Sequence, residues 1–381
     1  MNSLSRYKQV LAKILFDLPG WRTDKKIIVF ESDDWGSIRM PSKEIYENCL
    51  KHGYRVDKNI FSRYDSLASE TDLTLLFDLL LSFKDHKANP PIITANCLVA
   101  NPDFDKIRES DFKQYYFEMV TDTFPNYPQH SRCFEIWKEG INKKIFMPQS
   151  HGREHLNVSK FMRNLQAGDK DAHFAFNYKM PGIFKKNAVE PRNDYIISLE
   201  YYDEKDKLDK ERIIEEGLIL FRELFGFSSQ SFIAPNYKWD PGLELVLSSN
   251  DVRYIQGSRY QYIPKSNFSG LKQKYHFLGE NNKLKQIYLT RNVYFEPTLF
   301  NSSDCVASTL RQLDIAFKLR KPAIICSHRI NYIGYIDQGN RDRNLILLRR
   351  LLRSIMQRWP EVEFMTTVEL GDLILKKGMN N

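Results

Sequence analysis

The sequence predicts a parallel α/β architecture, on three observations. Short apolar runs of strand length alternate with helical patterns along the whole chain. Several runs are apolar throughout, as strands buried on both faces are. Four polar clusters, Asp33-Asp34, His151 with His155, Pro235-Asn236 and His328, each follow such a run directly. In a β/α barrel those positions are the carboxyl ends of strands, where the chemistry sits. A length of 381 residues suits one barrel with insertions. No internal repeat is visible, so we expect a helical extension over 1–24 and a single domain over 25–381.

In order along the chain, the stripe Leu4, Val10, Leu11, Ile14, Leu15 and Leu18 predicts a packing helix. Lys25 to Phe30 is a buried strand ending in the acidic cluster. Ser42 caps a helix that Gly53 closes. Ser69 with Asp72 forms a capping box ahead of a helix to Phe83. Pro91 to Val99 is a strand, and Asp111 to Val120 and Arg132 to Glu139 are read as helices. Ile145 to Pro148 is the strand that delivers the histidines, followed by a helix over Val158 to Gln166. Asp169 to Arg192 is polar and turn-rich and is read as a loop, with a strand over Tyr195 to Tyr201. A helix from Lys210 to Phe225 stops at Gly226. Strands follow at Ser231 to Ala234, Arg253 to Gln256 and Lys285 to Tyr294, with a helix opening at Asp240-Pro241 between the first two. Helices over Ser303 to Arg320 and Arg341 to Gln357 enclose a strand at Pro322 to Ser327. Val362 to Met365 is the last strand, and Thr367 caps the last helix.

Composition limits the function classes. A net charge of +8 is spread along the chain, and no nucleic-acid-binding motif is present. No stretch of 18 apolar residues occurs, so no transmembrane helix is expected; peripheral membrane contact remains open. The five cysteines are odd in number and widely spaced, without a CxxC pair. With no signal-type apolar core near Met1, this predicts a cytoplasmic protein with reduced thiols.

His151 and His155 are four apart, a spacing that on a helix puts both imidazoles on one face. Such a pair is a usual way to hold zinc, which needs a third protein ligand. The acidic cluster Glu31-Ser32-Asp33-Asp34 at another strand end is the place to look for it. Each cluster alone has a structural reading too: a turn pair for the aspartates, packing or surface histidines for the rest.

Together these residues resemble the polysaccharide deacetylase family of metal-dependent carbohydrate esterases, over about Lys26 to Leu375. The matching motifs are Asp33-Asp34, His151-Gly152-Arg153-Glu154-His155, Ala234-Pro235-Asn236-Tyr237 and Ile325-Cys326-Ser327-His328. The resemblance implies a distorted β/α barrel of fewer than eight complete units, with an enlarged insertion between the first and third strands. It implies a divalent metal, usually zinc, on Asp34, His151 and His155. Asp33 would be the general base and His328 the general acid. Trp35, Pro235, Asn236, Tyr237, Arg329 and Asn331 flank the motifs and are the candidate contacts to an acetylated sugar or glycan.

The family's third motif carries an arginine that holds the base, but Ile233 and Ala234 stand there in this chain. Arg329, Arg259 and Arg153 are the candidates to replace it. A deacetylase of N- or O-acetylated sugars is therefore the leading reading. A glycan-binding protein that keeps the metal without turnover, or a hydrolase of a non-sugar amide, are the alternatives.

Overall fold

The computed structural model describes residues 14, 15, 17–187, 194–300 and 304–378. Its main sheet contains β1 (Ile27–Trp35), β2 (Ile93–Cys97), β5 (Phe146–Ser150), β6 (Ser231–Ile233), β7 (Tyr254–Gly257), β10 (Ile287–Thr290), β11 (Val293–Tyr294), β12 (Ala323–His328) and β13 (Glu363–Phe364). Two antiparallel ribbons stand apart from it, β3 (Ala100–Pro102) with β4 (Phe117–Met119) and β8 (Tyr260–Pro264) with β9 (Leu271–Tyr275). The main sheet runs β10-β7-β6-β5-β2-β1-β12-β11, with β13 beside the start of β1. Every neighbouring pair in it is parallel. All nine residues of β1 are buried, as a strand covered on both faces requires.

The sheet closes on itself through one bent strand. Only Arg291 and Asn292 separate β10 from β11. The Arg291 N–H donates to Gly257 O of β7 at 2.8 Å, and the Asn292 N–H donates to Ile324 O of β12 at 3.2 Å. Successive peptides thus bond to opposite neighbours, and β10 and β11 are the two halves of one stave. Lys285 to Tyr294, read from sequence as one strand, is divided at this bend.

Helices cover the outside, and their ends follow the sequence signals. Ser42 accepts from Ile45 N at the start of Lys43–Lys51, and Ser69 with Asp72 forms the capping box of Glu70–Leu81. Gly226 closes Glu204–Phe225 with φ +78°. The main core packs Trp35 edge-on against Phe146, with ring centroids 5.1 Å apart, and Trp137 and Phe77 on the same ring. The five cysteines are buried and free. Among the described residues no helix is long and apolar enough to cross a membrane.

Three local expectations are corrected, and one hairpin was not expected. Asp111 to Val120 is not a helix: Phe117–Met119 pairs with Ala100–Pro102, and the helix lies earlier, at Phe104–Glu109, capped by Asp103. The polar stretch after Asp169 contains the helix Lys170–Asn177, because the Asp169 side chain accepts from Asp171 N and Ala172 N. Tyr195 to Tyr201 is not a strand; Asn157 Nδ2 donates to Ile197 O and Glu200 O and ties this segment to the outside as turns. The hairpin β8–β9 had no forecast, since its second strand, Leu271–Tyr275, is largely exposed and lacks apolar alternation. Most of the expected 1–24 extension lies outside the described residues. Its last part lies against the barrel, with Lys321 Nζ donating to the carbonyls of Pro19, Gly20 and Trp21.

Candidate metal centre and catalytic cavity

The site lies at the carboxyl ends of β1, β5, β6 and β12. A strand normally sends adjacent side chains to opposite faces, so Asp33 and Asp34 should diverge. Here β1 ends in an irregularity: its register against β2 shifts between Ser32 and Trp35. Asp34 has φ +76°, a left-handed conformation that costs a non-glycine residue energy. The turn completes at Gly36, φ +91°, where a Cβ would lie 2.3 Å from Leu98 O. This strained corner turns both carboxylates into one cavity of about 240 Å³.

The histidines reach the cavity from a loop, which corrects the expectation of a helical pair. His151 and His155 precede the helix that begins at Val158. The loop is pinned by backbone bonds, His151 N–H to Cys97 O at 2.8 Å and the Val99 and Ala100 N–H groups to Arg153 O at 3.1 and 2.9 Å. Gly217 lets the Glu204–Phe225 helix press onto it, since a Cβ there would stand 2.6 Å from Arg153 N. Arg153 is spent on this loop, donating to both oxygens of Glu154 at 2.5 and 2.7 Å.

Asp34 Oδ1 lies 3.5 Å from His151 Nε2 and 3.6 Å from His155 Nε2. Donors about 2.1 Å from a tetrahedral zinc stand about 3.4 Å from one another, so the spacing suits one cation. His151 Nδ1 donates to Ile233 O at 2.8 Å, which fixes the ring with its Nε2 toward Asp34. His155 Nδ1 is buried without a hydrogen-bond partner. Burial, with Arg39 nearby, holds His155 well below the usual histidine range, so the ring is neutral. Burial opposes ionisation of Asp34, but Arg39 and the histidines outweigh it and keep the carboxyl well below its usual range. An ionised carboxylate with two imidazoles that both turn Nε2 toward it is a donor set that suits a divalent cation.

Asp33 is held by an arginine that the sequence reading did not select. Arg291, at the bend between β10 and β11, donates from Nη1 and Nη2 to the two Asp33 oxygens, each at 2.7 Å. Its Nε donates to Glu31 at 2.6 Å, and the side chain is fully buried. Burial pushes Asp33 up, but Arg291 outweighs it and brings the carboxyl to about 2. None of the three expected arginines does this. Arg329 pairs with Asp65, Arg259 with Asp17, and Arg153 with Glu154 and Glu216. A lone arginine within an otherwise apolar strand was the available signal, since a buried charge needs a partner.

His328 faces the same cavity. Its Nδ1 bonds to Glu296 Oε1 at 2.6 Å, and its Nε2 stands 3.7 Å from Asp33 Oδ2. Burial works against protonation, but Glu296 and Asp33 outweigh it and push the imidazole up to about 10. Glu296 was likewise not selected from sequence; it ends the strand that carries Arg291.

Of the expected substrate contacts, Asn236 and Tyr237 line the cavity, both in the left-handed region at φ +57° and +56°. Pro235 is buried in the turn that carries them. Three are corrected. Trp35 is in the core and donates Nε1–H to Ser32 Oγ at 3.0 Å. Arg329 is buried against Asp65, and Asn331 is buried and donates to Glu296 at 2.6 Å, so neither is free to meet a ligand. The remaining walls are Arg39, Phe61, Ile196 and Ala234.

No family model and no curated protein matches the chain. Among solved structures, it is similar to a probable polysaccharide deacetylase from Pseudomonas aeruginosa PAO1, at 10% identity over 92% of this chain and 91% of that one, TM-score 0.45. It is also similar to Puue allantoinase, at 10% identity over 93% of each chain, TM-score 0.45. A 4-alpha-glucanotransferase from Thermococcus litoralis is similar at 10% identity and TM-score 0.42; this chain spans 93% of itself but 40% of that protein. Likenesses this distant decide nothing, so the functional reading rests on the site's own residues.

Proposed function

We propose that this chain is a cation-dependent hydrolase that removes an acetyl group, N- or O-linked, from a sugar or glycan precursor. The observation that carries the reading is the convergence of Asp33, Asp34, His151, His155 and His328 on one cavity. The motif resemblance supports it. Asp34, His151 and His155 would hold the cation, and the N₂O donor set favours zinc. Zinc at such a site supplies Lewis acidity toward the acyl oxygen and lowers the pKa of water to about 7.

The chain's residues divide the proton work. Asp33 takes the proton of the attacking water. Arg291 keeps it ionised and fixes both its oxygens, the task a two-pronged guanidinium performs and lysine does not. His328 gives its Nε2 proton to the departing nitrogen or oxygen, and Glu296 holds the ring from Nδ1. One proton is taken on one side of the cavity and one delivered on the other, so acetic acid and a neutral amine or alcohol form, and the acid loses its remaining proton to solvent as acetate leaves.

The test is acetate release by zinc-loaded protein from a panel of N- and O-acetylated sugars and simple non-sugar amides. Release from a sugar, abolished by Asp33→Asn, is the expected result. Cleavage of the amides alone would move the protein to the non-sugar class. Zinc bound at the site with no turnover of any substrate would leave the binding-protein reading, for which Arg291 removes the main sequence argument.

A further inference from the structure

We propose that Arg39 is the anion-recognition element of this cavity, and that the substrate carries a carboxylate or phosphate beside the acyl group it loses. This rests on the hydrolase reading for the acyl group, though not for the anion itself.

Among the described residues, Asp33 and Asp34 line the cavity, Asp65 and Glu296 pair with its wall residues, and each carboxylate is already committed. Asp33 is clasped by Arg291, Asp65 by Arg329 at 2.9 and 3.3 Å, and Glu296 by His328. Asp34 faces the two histidines, where the cation belongs. Arg39 therefore shares both of its carboxylates, Asp34 and Asp65, with other partners. Its Nη2 stands 3.6 Å from Asp34 Oδ1 and its Nε 3.5 Å from Asp65 Oδ2, both too long for a good hydrogen bond. The Nε is buried without a partner, and the side chain is 10% exposed. A guanidinium left this way is costly unless something completes its hydrogen bonds.

The surroundings place Arg39 at the edge of the open volume. Arg39 lines the cavity together with Asp34, His155 and Phe61, its guanidinium carbon 5.7 Å from the Phe61 ring centroid. The backbone on either side is anchored, with Ile38 N–H to Asn101 Oδ1 at 2.8 Å and Met40 N–H to Asp65 O at 3.1 Å. A cation on Asp34 would take over that carboxylate and leave Arg39 still less satisfied. An oxyanion that can accept two parallel hydrogen bonds, a carboxylate or a phosphate, is the group that fits a guanidinium fork beside an aromatic face.

The experiment is calorimetric titration of zinc-loaded protein with N-acetylglucosamine, its 6-phosphate and N-acetylmuramic acid, for the wild type, Arg39→Gln and Arg39→Lys. Zinc content is measured in parallel. We expect at least one anionic sugar to bind about tenfold or more tighter than the neutral one, as a charge-assisted pair allows. Arg39→Gln should erase that preference while keeping one zinc per chain, and Arg39→Lys should restore part of it. Retained zinc shows that the variants fold. Equal affinity for neutral and anionic sugars, or no binding of any, overturns the inference. Arg39-dependent binding without acetate release would instead retain the anion site and sink the hydrolase reading.

Discussion

The two ends of the barrel differ in a way that volume alone misreports. At the strand starts lies a cleft of about 900 Å³, lined by Lys144, Met147, Gln149, Arg253, Lys285 and Glu369 among others. At the strand ends the cavity is about 240 Å³. Three polar groups of the larger cleft are occupied with holding the fold. Gln149 Oε1 accepts from Ser231 N at 2.7 Å and Ser231 Oγ at 2.9 Å, Arg253 pairs with Asp372 at 3.0 Å, and Glu369 accepts from Thr366 N at 2.8 Å. Among the described residues, none of the buried polar atoms lacking a partner lines it, whereas two of them, His155 Nδ1 and Arg39 Nε, belong to residues of the smaller cavity. Unsatisfied hydrogen-bonding capacity and opposed charges, rather than size, set apart the end to which we assign the proposed chemistry.

That contrast sets the order of expected effects. The largest is for His151→Ala with His155→Ala: zinc uptake and turnover should both vanish while the fold survives, read by metal analysis and circular dichroism. One zinc per chain retained at wild-type affinity would dissolve the comparison. Next, Asp33→Asn should keep zinc and lose about 10²- to 10⁴-fold in turnover, the range for removing a general base. Loss of zinc as its primary defect would exchange the roles of Asp33 and Asp34.

Arg291→Gln should be weaker in chemistry and stronger in stability. It leaves Asp33 and Glu31 buried without their partner, a change that costs about 3–5 kcal/mol in comparable buried pairs. Urea unfolding reads this, and an unchanged midpoint would mean that Arg291 does not hold the pair.

In zinc-free protein, His328 should make stability depend on pH. Its folded value of about 10 exceeds the ordinary 6.5, so the folded state binds more protons in between. The contribution is complete below about 6.5 and is lost as pH rises toward about 10. His328→Gln should flatten that fall; an identical slope in both proteins would mean that Glu296 does not hold the ring charged. The smallest effect is at the other end: Lys285→Ala in the large cleft should shift stability by no more than about 0.5 kcal/mol and leave zinc and turnover unchanged. A loss of activity there would break the comparison from the opposite side.

How much was legible in the sequence follows the same division. Parallel strands with polar ends could be read because apolar runs and capping signals are local: the capping box at Ser69 and the left-handed Gly226 are written within a few residues. The residues that meet from different strand ends were legible as motifs, though not the means of their meeting. The convergence of Asp33 and Asp34 depends on positive φ at Asp34, and that of the histidines on a loop, where a helix was expected. Arg291 was missed because its role comes from closing the ring, a property of the whole sheet. Trp35, Arg329 and Asn331 were assigned to substrate by their nearness in sequence to motif residues. At a strand end the next residue can turn into the core, and all three do.

The most direct test of the account is anomalous diffraction from crystals grown with zinc, collected on both sides of the absorption edge. The account predicts one strong peak per chain, within bonding distance of Asp34 Oδ1, His151 Nε2 and His155 Nε2, with Asp33 still clasped by Arg291. A zinc-loaded crystal whose peak lies elsewhere, or in which Asp33 takes the place of Asp34 as ligand, would contradict it.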